Sequence, residues 1–271
     1  MRLGKLMEWM HGLFPHQGVA VDISAEEAVA QLRANGAVRW ANLLFPLFKE
    51  EAPSLHAWGA ELAERYPEMT PFGGVRADDP DPLGIVEEAI EQYGMAGLKF
   101  HPGVQRTMPW DPRLAPVFDY LEQGGKPVYI HTGFGQWYQP DFDVPALEKL
   151  IAAHPDLPVV LPHIGYPDFE WAYRLATDNA NVWLDVTNVA GAILLIEPDD
   201  PQQRQLADLF REGVARLEGR IMFGTDHPAG MGTIDVIFRD LDRFDIPEGQ
   251  RESLVMTTAA TFFDRYGRPR P

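Results

Sequence analysis

Cysteine is absent from the 271 residues of this sequence. Its absence excludes a disulfide-stapled secreted domain, a thiolate metal site and a cysteine nucleophile. The sequence also lacks any run of about 18 apolar residues, so we expect no membrane-spanning helix and no membrane partner. The opening residues, MRLGKLMEWMHGLF, are too short and too interrupted by charge to act as a secretory signal. We therefore expect a cytoplasmic protein.

Positive charge is scarce. The chain has 23 Lys and Arg residues against 40 Asp and Glu residues, which gives a net charge of −17 at pH 7. Because an acidic surface repels phosphate backbones, we expect no nucleic-acid partner. Hydrophobic residues make up 45% of the chain, which is enough for the core of one large α/β domain or of two small ones. No linker or break in composition divides the sequence, so we expect a single domain over residues 1–271.

Short apolar runs alternate with amphipathic helical stretches along the whole chain. Most of the runs are continuous, which is typical of parallel strands that helices cover from outside. Neither a dinucleotide-binding glycine pattern nor a phosphate-binding loop motif occurs, so a (β/α) barrel is favoured over an open doubly wound sheet. The predicted strands are 37–46, 70–76, 96–101, 127–132, 158–163, 182–187 and 220–225.

Polar residues end several of these strands, and barrel active sites lie at the C-terminal ends of strands. Lys99, His131 and His163 are each 32 residues from the next, about one strand–helix unit, and Asp226 follows the last run. Imidazole and carboxylate groups are ligands that Zn, Mn and Fe accept, and a bound metal activates water. We therefore expect a divalent metal, with Zn, Mn and Fe as the candidates. The alternatives are a hydrogen-bonded structural role for each histidine and a turn role for Asp226.

Further candidates lie near the same strand ends. Lys99 stands inside an apolar run, where an unpaired ammonium is costly, so we expect it to meet an anionic partner. His101 is a candidate for substrate contact or for loop support, whereas Asp185 and His227 are weaker candidates. The loops that follow add the candidate substrate contacts Arg106, Trp137 and Tyr138, of which the two aromatic residues could equally pack the barrel rim.

Four motifs at these positions resemble the amidohydrolase superfamily, specifically its amidohydrolase-2 branch of metal-dependent hydrolases and decarboxylases. They occur in the family's order, and the resemblance extends from about residue 37 to the end. It implies an α/β fold, a distorted (β/α)8 TIM barrel, with a divalent metal that is commonly Zn. The motifs are GLKFHP at 97–102, VYIHTG at 128–133, LPHIG at 161–165 and MFGTDHP at 222–228.

The resemblance also implies roles for individual residues. His131 matches the family's strand-5 metal ligand. Asp226 matches the strand-8 Asp, which touches the metal and serves as general base. His163 matches a strand-6 His that is an acid–base group in mononuclear, decarboxylase-like members. Lys99 falls on strand 4, where we expect a cationic contact to the substrate.

The sequence departs from the family at strand 1. That strand ends in His-x-His in the family and supplies two metal ligands, but no His-x-His occurs here. We expect strand 1 to be lacking or replaced. Either the chain begins late, or tight metal binding has been lost, or His11 or His16 substitutes, and the first two explanations are favoured. His131 and Asp226 alone are fewer than the three protein ligands usual for catalytic zinc.

Three functions remain open. The first is a metal-dependent hydrolase of a small C–N, ester or lactone bond, in which Asp226 is the base, His163 assists proton transfer and Lys99 or Arg106 holds a substrate carboxylate. The second is non-oxidative decarboxylation of an aromatic or related carboxylic acid. The third is a catalytically silent homologue with an incomplete metal site. The expected partners are a small-molecule substrate and a second copy of the chain in a homodimer.

Overall fold

A computed structural model describes residues 23–134 and 142–267, and a strand lies within each of the seven predicted runs except the second, where it begins one residue earlier. Within the described residues, no strand precedes β1. The candidates His11, His16, Trp137 and Tyr138 lie outside the described residues. The strands are β1 Trp40–Leu43, β2 Met69–Phe72, β3 Leu98–Phe100, β4 Val128–Ile130, β5 Val159–Pro162, β6 Val182–Asp185 and β7 Ile221–Met222.

Helices separate most of these strands. The first helix begins at a capping box in which Ser24 Oγ accepts from the Glu27 N–H and the Glu27 carboxylate accepts from the Ser24 N–H. None of the helices in the described ranges is long and apolar enough to cross a membrane. The helices are α1 Ala25–Ala34, α2 Ala52–Arg65, α3 Pro82–Glu91, α4 Pro102–Gln105, α5 Ala115–Gly124, α6 Val144–Ala153, α7 Phe169–Asp178, α8 Val189–Leu194, α9 Pro201–Arg216, α10 Ile234–Asp242, α11 Glu248–Glu252 and α12 Thr258–Tyr266, with 3₁₀ turns at Pro112–Leu114 and His163–Gly165 and a π-helical turn at Ser253–Thr257.

The chain divides into two compact units. The larger unit comprises Arg39–Leu184 and Ala259–Pro271, and the smaller unit comprises Met1–Val38 and Asp185–Thr258.

Parallel strands form the centre of the larger unit. Strands β1 and β2 pair with Trp40 opposite Met69. Strands β3, β4 and β5 pair in parallel in a second sheet, with β6 next in order. A bridge between Gly73 and Leu98 connects the end of β2 to β3. The C-terminal ends of these strands therefore point the same way, and the residues that follow them are brought together.

Apolar side chains fill both faces of the strands in the larger unit. The consecutive residues Val159, Val160 and Leu161 of β5 are fully buried, and their side chains alternate between the two faces. Strands that helices cover on the outside need apolar residues on both faces, which accounts for the continuous apolar runs in the sequence. In the same unit, the ring of Phe262 in α12 makes edge contacts with Tyr129 and Trp183.

The smaller unit is built around β7 and the helices that surround it. The Val186 N–H, just after β6, donates to the Met222 carbonyl at 2.9 Å. The Phe223 N–H donates to the carbonyl of Leu254 in the π-helical turn. These bonds fix the chain on either side of β7, and the segment that follows β7 carries Asp226.

Candidate active site

Three neighbouring strands of the larger unit end at predicted site residues. Lys99 lies in β3, His131 directly follows β4, and His163 directly follows β5. The His131 N–H donates to the Phe100 carbonyl at 2.9 Å, which aligns the end of β4 with the end of β3. The structure therefore places Lys99, His131 and His163 at one edge of the sheet.

His101, which follows β3, joins His131 and His163 in a buried group that we call the histidine cluster. The rings of His101 and His131 stack with their centroids 3.7 Å apart and their planes 16° apart. The rings of His131 and His163 are 4.5 Å apart and meet at 60°. Lys99 is only 5% exposed, and its charge acts on both stacked rings. A buried cation thus lies close to the two stacked imidazoles.

Burial controls the ionisation of the stacked pair. It lowers the pKa of His101 well below the ordinary value for histidine, and Lys99 and His163 lower it further. It also lowers the pKa of His131, with additional effects from His101, His163 and Lys99. Both rings are therefore neutral at pH 7. A neutral imidazole carries one donor and one acceptor nitrogen, so either ring can pass a proton on.

Gln105 holds the backbone at His101, and sequence reasoning missed it. Its Oε1 accepts from the His101 N–H at 2.6 Å, and its Nε2 donates to the Val75 carbonyl at 3.4 Å. The Val104 N–H points at His101 Nδ1 across 3.4 Å. The only sequence signal was a Gln four residues after a His that precedes proline, which is too common to be read as functional.

The loops after β4 and β5 are locked together by Thr132. Its hydroxyl donates to the Pro162 carbonyl at 2.6 Å and accepts from the Gly165 N–H at 3.0 Å. Two residues later, the Phe134 N–H donates to the Tyr166 carbonyl at 2.8 Å. The motif that carries His131 therefore supports the motif that carries His163.

The backbone at His163 is strained. His163, Ile164 and Gly165 follow one another at φ values of 66°, 44° and 72°. A β-branched residue such as Ile seldom adopts a positive φ, and such a conformation costs about 1–3 kcal/mol. Gly133 passes so close that a Cβ there would lie 2.8 Å from the Tyr166 nitrogen and 3.2 Å from His163 Cβ. The strained turn is thus held by its neighbours, as is common at functional sites.

Asp226 lies in the smaller unit, in the loop after β7. Its backbone is left-handed, with φ 55°. Asn188, at the start of α8, donates from Nδ2 to Asp226 Oδ2 at 3.1 Å and accepts the Met231 N–H on Oδ1 at 2.9 Å. Sequence reasoning missed Asn188, because nothing in the surrounding sequence distinguishes it from an ordinary turn residue. We refer to Asp226 and Asn188 as the Asp226 pair.

The two weaker candidates of the smaller unit have local contacts. Asp185 Oδ1 accepts from both the N–H and the hydroxyl of Thr187, which closes a turn at the end of β6. Burial lowers the pKa of His227, and a hydrogen bond with the Ala28 backbone in α1 opposes that shift. Both residues therefore have roles in building the loops around Asp226.

The structure says little about the three predicted substrate contacts in the loops, Arg106, Trp137 and Tyr138. Arg106 follows α4 in a left-handed conformation with φ 52°, and its side chain is exposed. Trp137 and Tyr138 lie outside the described residues. The roles of all three stay predictions.

A row of partly exposed aromatic rings follows the loops after β3, β4 and β5. The rings of Trp110 and Phe142 meet edge to face at 5.3 Å, and those of Phe142 and Trp171 stack at 6.2 Å. The indole of Trp171 fills the space beside Gly165, where a Cβ would lie 2.5 Å from Cζ2. The aromatic row therefore borders the strained turn that carries His163.

The described residues do not by themselves complete a metal centre. Within residues 23–134 and 142–267, no group of three or more His, Asp or Glu side chains could hold an ion. A metal ion must lie in the plane of each imidazole that binds it, about 2 Å from the nitrogen. The nearly parallel planes of His101 and His131 therefore cannot both contain one ion. His131 and Asp226 have suitable donor chemistry, but they are only two.

One known family matches nearly the whole chain. The family model described as amidohydrolase matches residues 18–265. No functionally curated protein matches the chain.

Solved structures share the fold at low sequence identity. An uncharacterised TIM-barrel protein from Bordetella bronchiseptica gives a TM-score of 0.74 at 20% identity, covering 98% of this chain and 92% of that chain. The 5-carboxyvanillate decarboxylase of Sphingomonas paucimobilis gives a TM-score of 0.64 at 17% identity, covering 90% of this chain and 83% of that chain. The 5-carboxyvanillate decarboxylase of Novosphingobium aromaticivorans, complexed with manganese and 4-hydroxy-3-methoxy-5-nitrobenzoic acid, gives a TM-score of 0.63 at 18% identity, covering 91% of this chain and 81% of that chain. The predicted α/β fold of the TIM-barrel class is confirmed.

Proposed function

The chain belongs to the amidohydrolase family, and from that premise we propose that it is a metal-dependent hydrolase of a small C–N, ester or lactone bond in a substrate that carries a carboxylate. The observation that carries the proposal is the buried Lys99 beside the neutral rings of His101 and His131. A buried ammonium can form a charge-assisted hydrogen bond with a substrate carboxylate, and such a bond is stronger than one between neutral groups. Lys99 binds the carboxylate, and Arg106 offers a second cation from its loop.

Proton transfer falls to His163 and Asp226. The His163 ring is fixed by its strained turn and by the ring of Phe134, 5.2 Å away, so it can present one nitrogen to the leaving group. Asp226 accepts a proton from the attacking water as general base. His101 contacts the substrate through its ring. Trp137 and Tyr138 contribute aromatic contacts from the loop after β4.

We retain His131 and Asp226 as proposed metal ligands on the strength of their motifs alone. Zn is the first choice, and Mn and Fe are the alternatives. When bound, a divalent ion supplies Lewis acidity at the substrate carbonyl. The manganese in the Novosphingobium decarboxylase supports a divalent ion in this family.

Metal content tests the proposal directly. Protein purified without chelator is expected to hold about one Zn, Mn or Fe per chain by mass spectrometry. The His131→Ala variant should lose metal affinity by more than the His163→Ala variant, because only His131 is a proposed ligand. Equal losses would make both histidines ligands and remove the acid–base role of His163. Absence of metal after supplementation, with no change in the melting temperature, would overturn the hydrolase and favour the silent homologue.

Non-oxidative decarboxylation is the second candidate, and the aromatic row favours it. Trp110, Phe142 and Trp171 offer partly exposed ring faces beside the turn that carries His163. Two structurally similar proteins are decarboxylases of an aromatic carboxylic acid. In this reaction His163 or Asp226 protonates the carbon that loses carbon dioxide. Incubation with lactones, amides and hydroxybenzoates, each bearing a carboxylate, separates the two candidates, because only decarboxylation releases carbon dioxide.

Lys99 provides the test of substrate charge. Lys99→Met keeps most of the side-chain volume but removes the cation. Loss of a charge-assisted contact worth about 1.5–3 kcal/mol corresponds to a rise in KM of roughly 10-fold or more for a carboxylate substrate. An ester analogue without the carboxylate should be much less affected. The same loss for both substrates would show that Lys99 supports the site and does not bind the carboxylate.

A further inference from the structure

We propose that Asn188 is a positioning residue that fixes the orientation of the Asp226 carboxylate. The inference rests on the proposed function, since it concerns the group assigned there as base and ligand. Both residues belong to the smaller unit, both are left-handed, with φ values of 63° and 55°, and Asn188 is buried. The hydrogen bond from Val186 to Met222 holds together the chain segments that lead to them.

The orientation of the Asn188 amide is determined by its two partners. The Met231 N–H can only donate, so the atom of Asn188 that faces it across 2.9 Å must be the carbonyl oxygen, Oδ1. The NH₂ group then faces Asp226, and Oδ2 of Asp226 accepts at 3.1 Å. Asn188 therefore engages one carboxylate oxygen of Asp226 and sets the direction of the other.

A turn between Asp185 and Thr187 determines where Asn188 begins. Asp185 Oδ1 accepts the Thr187 N–H at 2.7 Å and also the Thr187 hydroxyl. This turn packs directly against Gly224, two residues before Asp226. A Cβ at Gly224 would lie 2.0 Å from Thr187 Oγ1 and 3.0 Å from Asp185 Oδ1. The close approach that glycine allows brings Asn188 within reach of Asp226.

The other partner of Asn188 is also placed by a glycine. A Cβ at Gly230 would lie 2.1 Å from the Thr225 carbonyl oxygen, so the loop folds back on itself just after Asp226. The fold brings the Met231 N–H to Asn188. Asn188 thus connects the start and the end of the loop that carries Asp226, and its amide cannot rotate without breaking a buried bond.

This arrangement predicts that loss of Asn188 weakens metal binding, although Asn188 is not itself a proposed metal ligand. Residues that hydrogen-bond to a ligand or catalytic group change metal affinity or activity by about 10–100-fold when they are removed. Truncation of Asn188 to alanine removes the hydrogen bond to Asp226 Oδ2 and is expected to weaken Mn²⁺ binding in that range. A residue that only stabilises the fold would lower the melting temperature and leave the affinity unchanged.

The first experiment tests the hydrogen bond in the metal-free full chain. In ¹⁵N-labelled protein the side-chain amide of Asn188 is expected to give a shifted, slowly exchanging signal. Asp226→Ala should move that signal towards the position of a free amide, and Asp226→Asn serves if the alanine variant does not fold. The matched control is Asp242→Ala, which removes an exposed carboxylate paired with Arg251 in the same unit. An Asn188 signal that keeps its position in both Asp226 variants would overturn the proposal.

The second experiment titrates Mn²⁺ into the wild type, Asn188→Ala and Ser253→Ala. Ser253 is a buried polar residue of the same unit whose hydroxyl pairs with Thr258. Only Asn188→Ala is expected to raise the Kd for Mn²⁺ by about 10–100-fold. Equal Kd values for the three proteins would refute the positioning role. If the wild type binds no Mn²⁺, manganese is excluded as the ion of the proposed site, and the Asn188 signal alone decides this inference.

Discussion

His56 is a buried histidine that supports the fold and stays neutral at pH 7. It lies in α2 of the larger unit and is 1% exposed. Its Nε2 lies 3.0 Å from the Gly74 carbonyl oxygen and 3.2 Å from the Gly74 nitrogen. The space it fills exists because Gly73 has no side chain, since a Cβ there would lie 2.7 Å from Nε2. Burial lowers the pKa of His56 to about 4.

The lowered pKa makes stability depend on pH. The unfolded chain takes up a proton at His56 below about pH 6.5, whereas the folded chain resists it until about pH 4. Stability contributed by His56 is therefore complete above pH 6.5 and is lost as the pH falls towards 4, by about 3 kcal/mol in total. Urea unfolding of the wild type between pH 7 and pH 4.5 should show this loss.

The variant His56→Gln isolates the effect from carboxylates that titrate in the same range. It keeps a hydrogen-bonding group near Gly74 but cannot take up a proton. The difference in unfolding free energy between wild type and variant should shrink or reverse as the pH falls. Parallel pH profiles for the two proteins would count against a buried neutral His56.

At the scale of elements, the strands were predictable and the loops between them were not. Six of the seven strands in the described residues, β2 to β7, are buried throughout, and a strand buried on both faces must be a continuous apolar run. Strand β1 is only half-buried, but it also lies in an apolar run. The neighbouring positions of His131 and His163 followed from equal spacing in a parallel sheet. The stack of His101 on His131 was not visible, since it depends on the loop after β3. Asn188 was missed for a similar reason, because left-handed backbone at two non-glycine residues leaves little trace in composition.

The link between the two loops in the larger unit gives a prediction for Thr132. Thr132→Val keeps the shape but leaves the Pro162 carbonyl and the Gly165 N–H without their hydroxyl partner. A buried polar group that loses its partner costs about 1–3 kcal/mol. Chemical unfolding should show this loss, and amide exchange at Gly165 should become faster.

Thr132→Ser is the matched control for that substitution. Serine retains the hydroxyl and removes only a methyl group, so slow exchange at Gly165 should persist. If valine and serine variants exchange at the same rate, the hydroxyl does not hold the turn.

At the scale of the whole molecule, the net charge of −17 is the dominant electrostatic feature. Self-repulsion of a strongly charged chain destabilises its compact state. Salt shortens the screening length from about 30 Å at 0.01 M to about 8 Å at 0.15 M. We expect the melting temperature at pH 7.5 to rise by roughly 2–4 °C over that range, equivalent to about 1 kcal/mol.

Differential scanning calorimetry at several NaCl concentrations measures this rise. The same salt steps near pH 5, close to the isoelectric point of 4.8, provide the control, because the net charge is small there. A melting temperature that falls with salt at pH 7.5 would mean that favourable ion pairs outweigh the repulsion.

We also propose that residues 1–271 act as one domain and that two chains pair as a homodimer. Analytical ultracentrifugation in the same buffers tests both proposals.

The contact of Gly133 with the turn at His163 also limits how this sequence can diverge. A side chain at Gly133 would strike the Tyr166 backbone, and one at Gly165 would strike the Trp171 indole. A larger residue at Gly133 therefore requires the turn at His163 to shift, and a larger residue at Gly165 requires the Trp171 indole to move. The two segments should therefore accumulate substitutions jointly, so that a mutational library varied in one loop alone yields few folded members, while a library varied in both recovers compensated pairs.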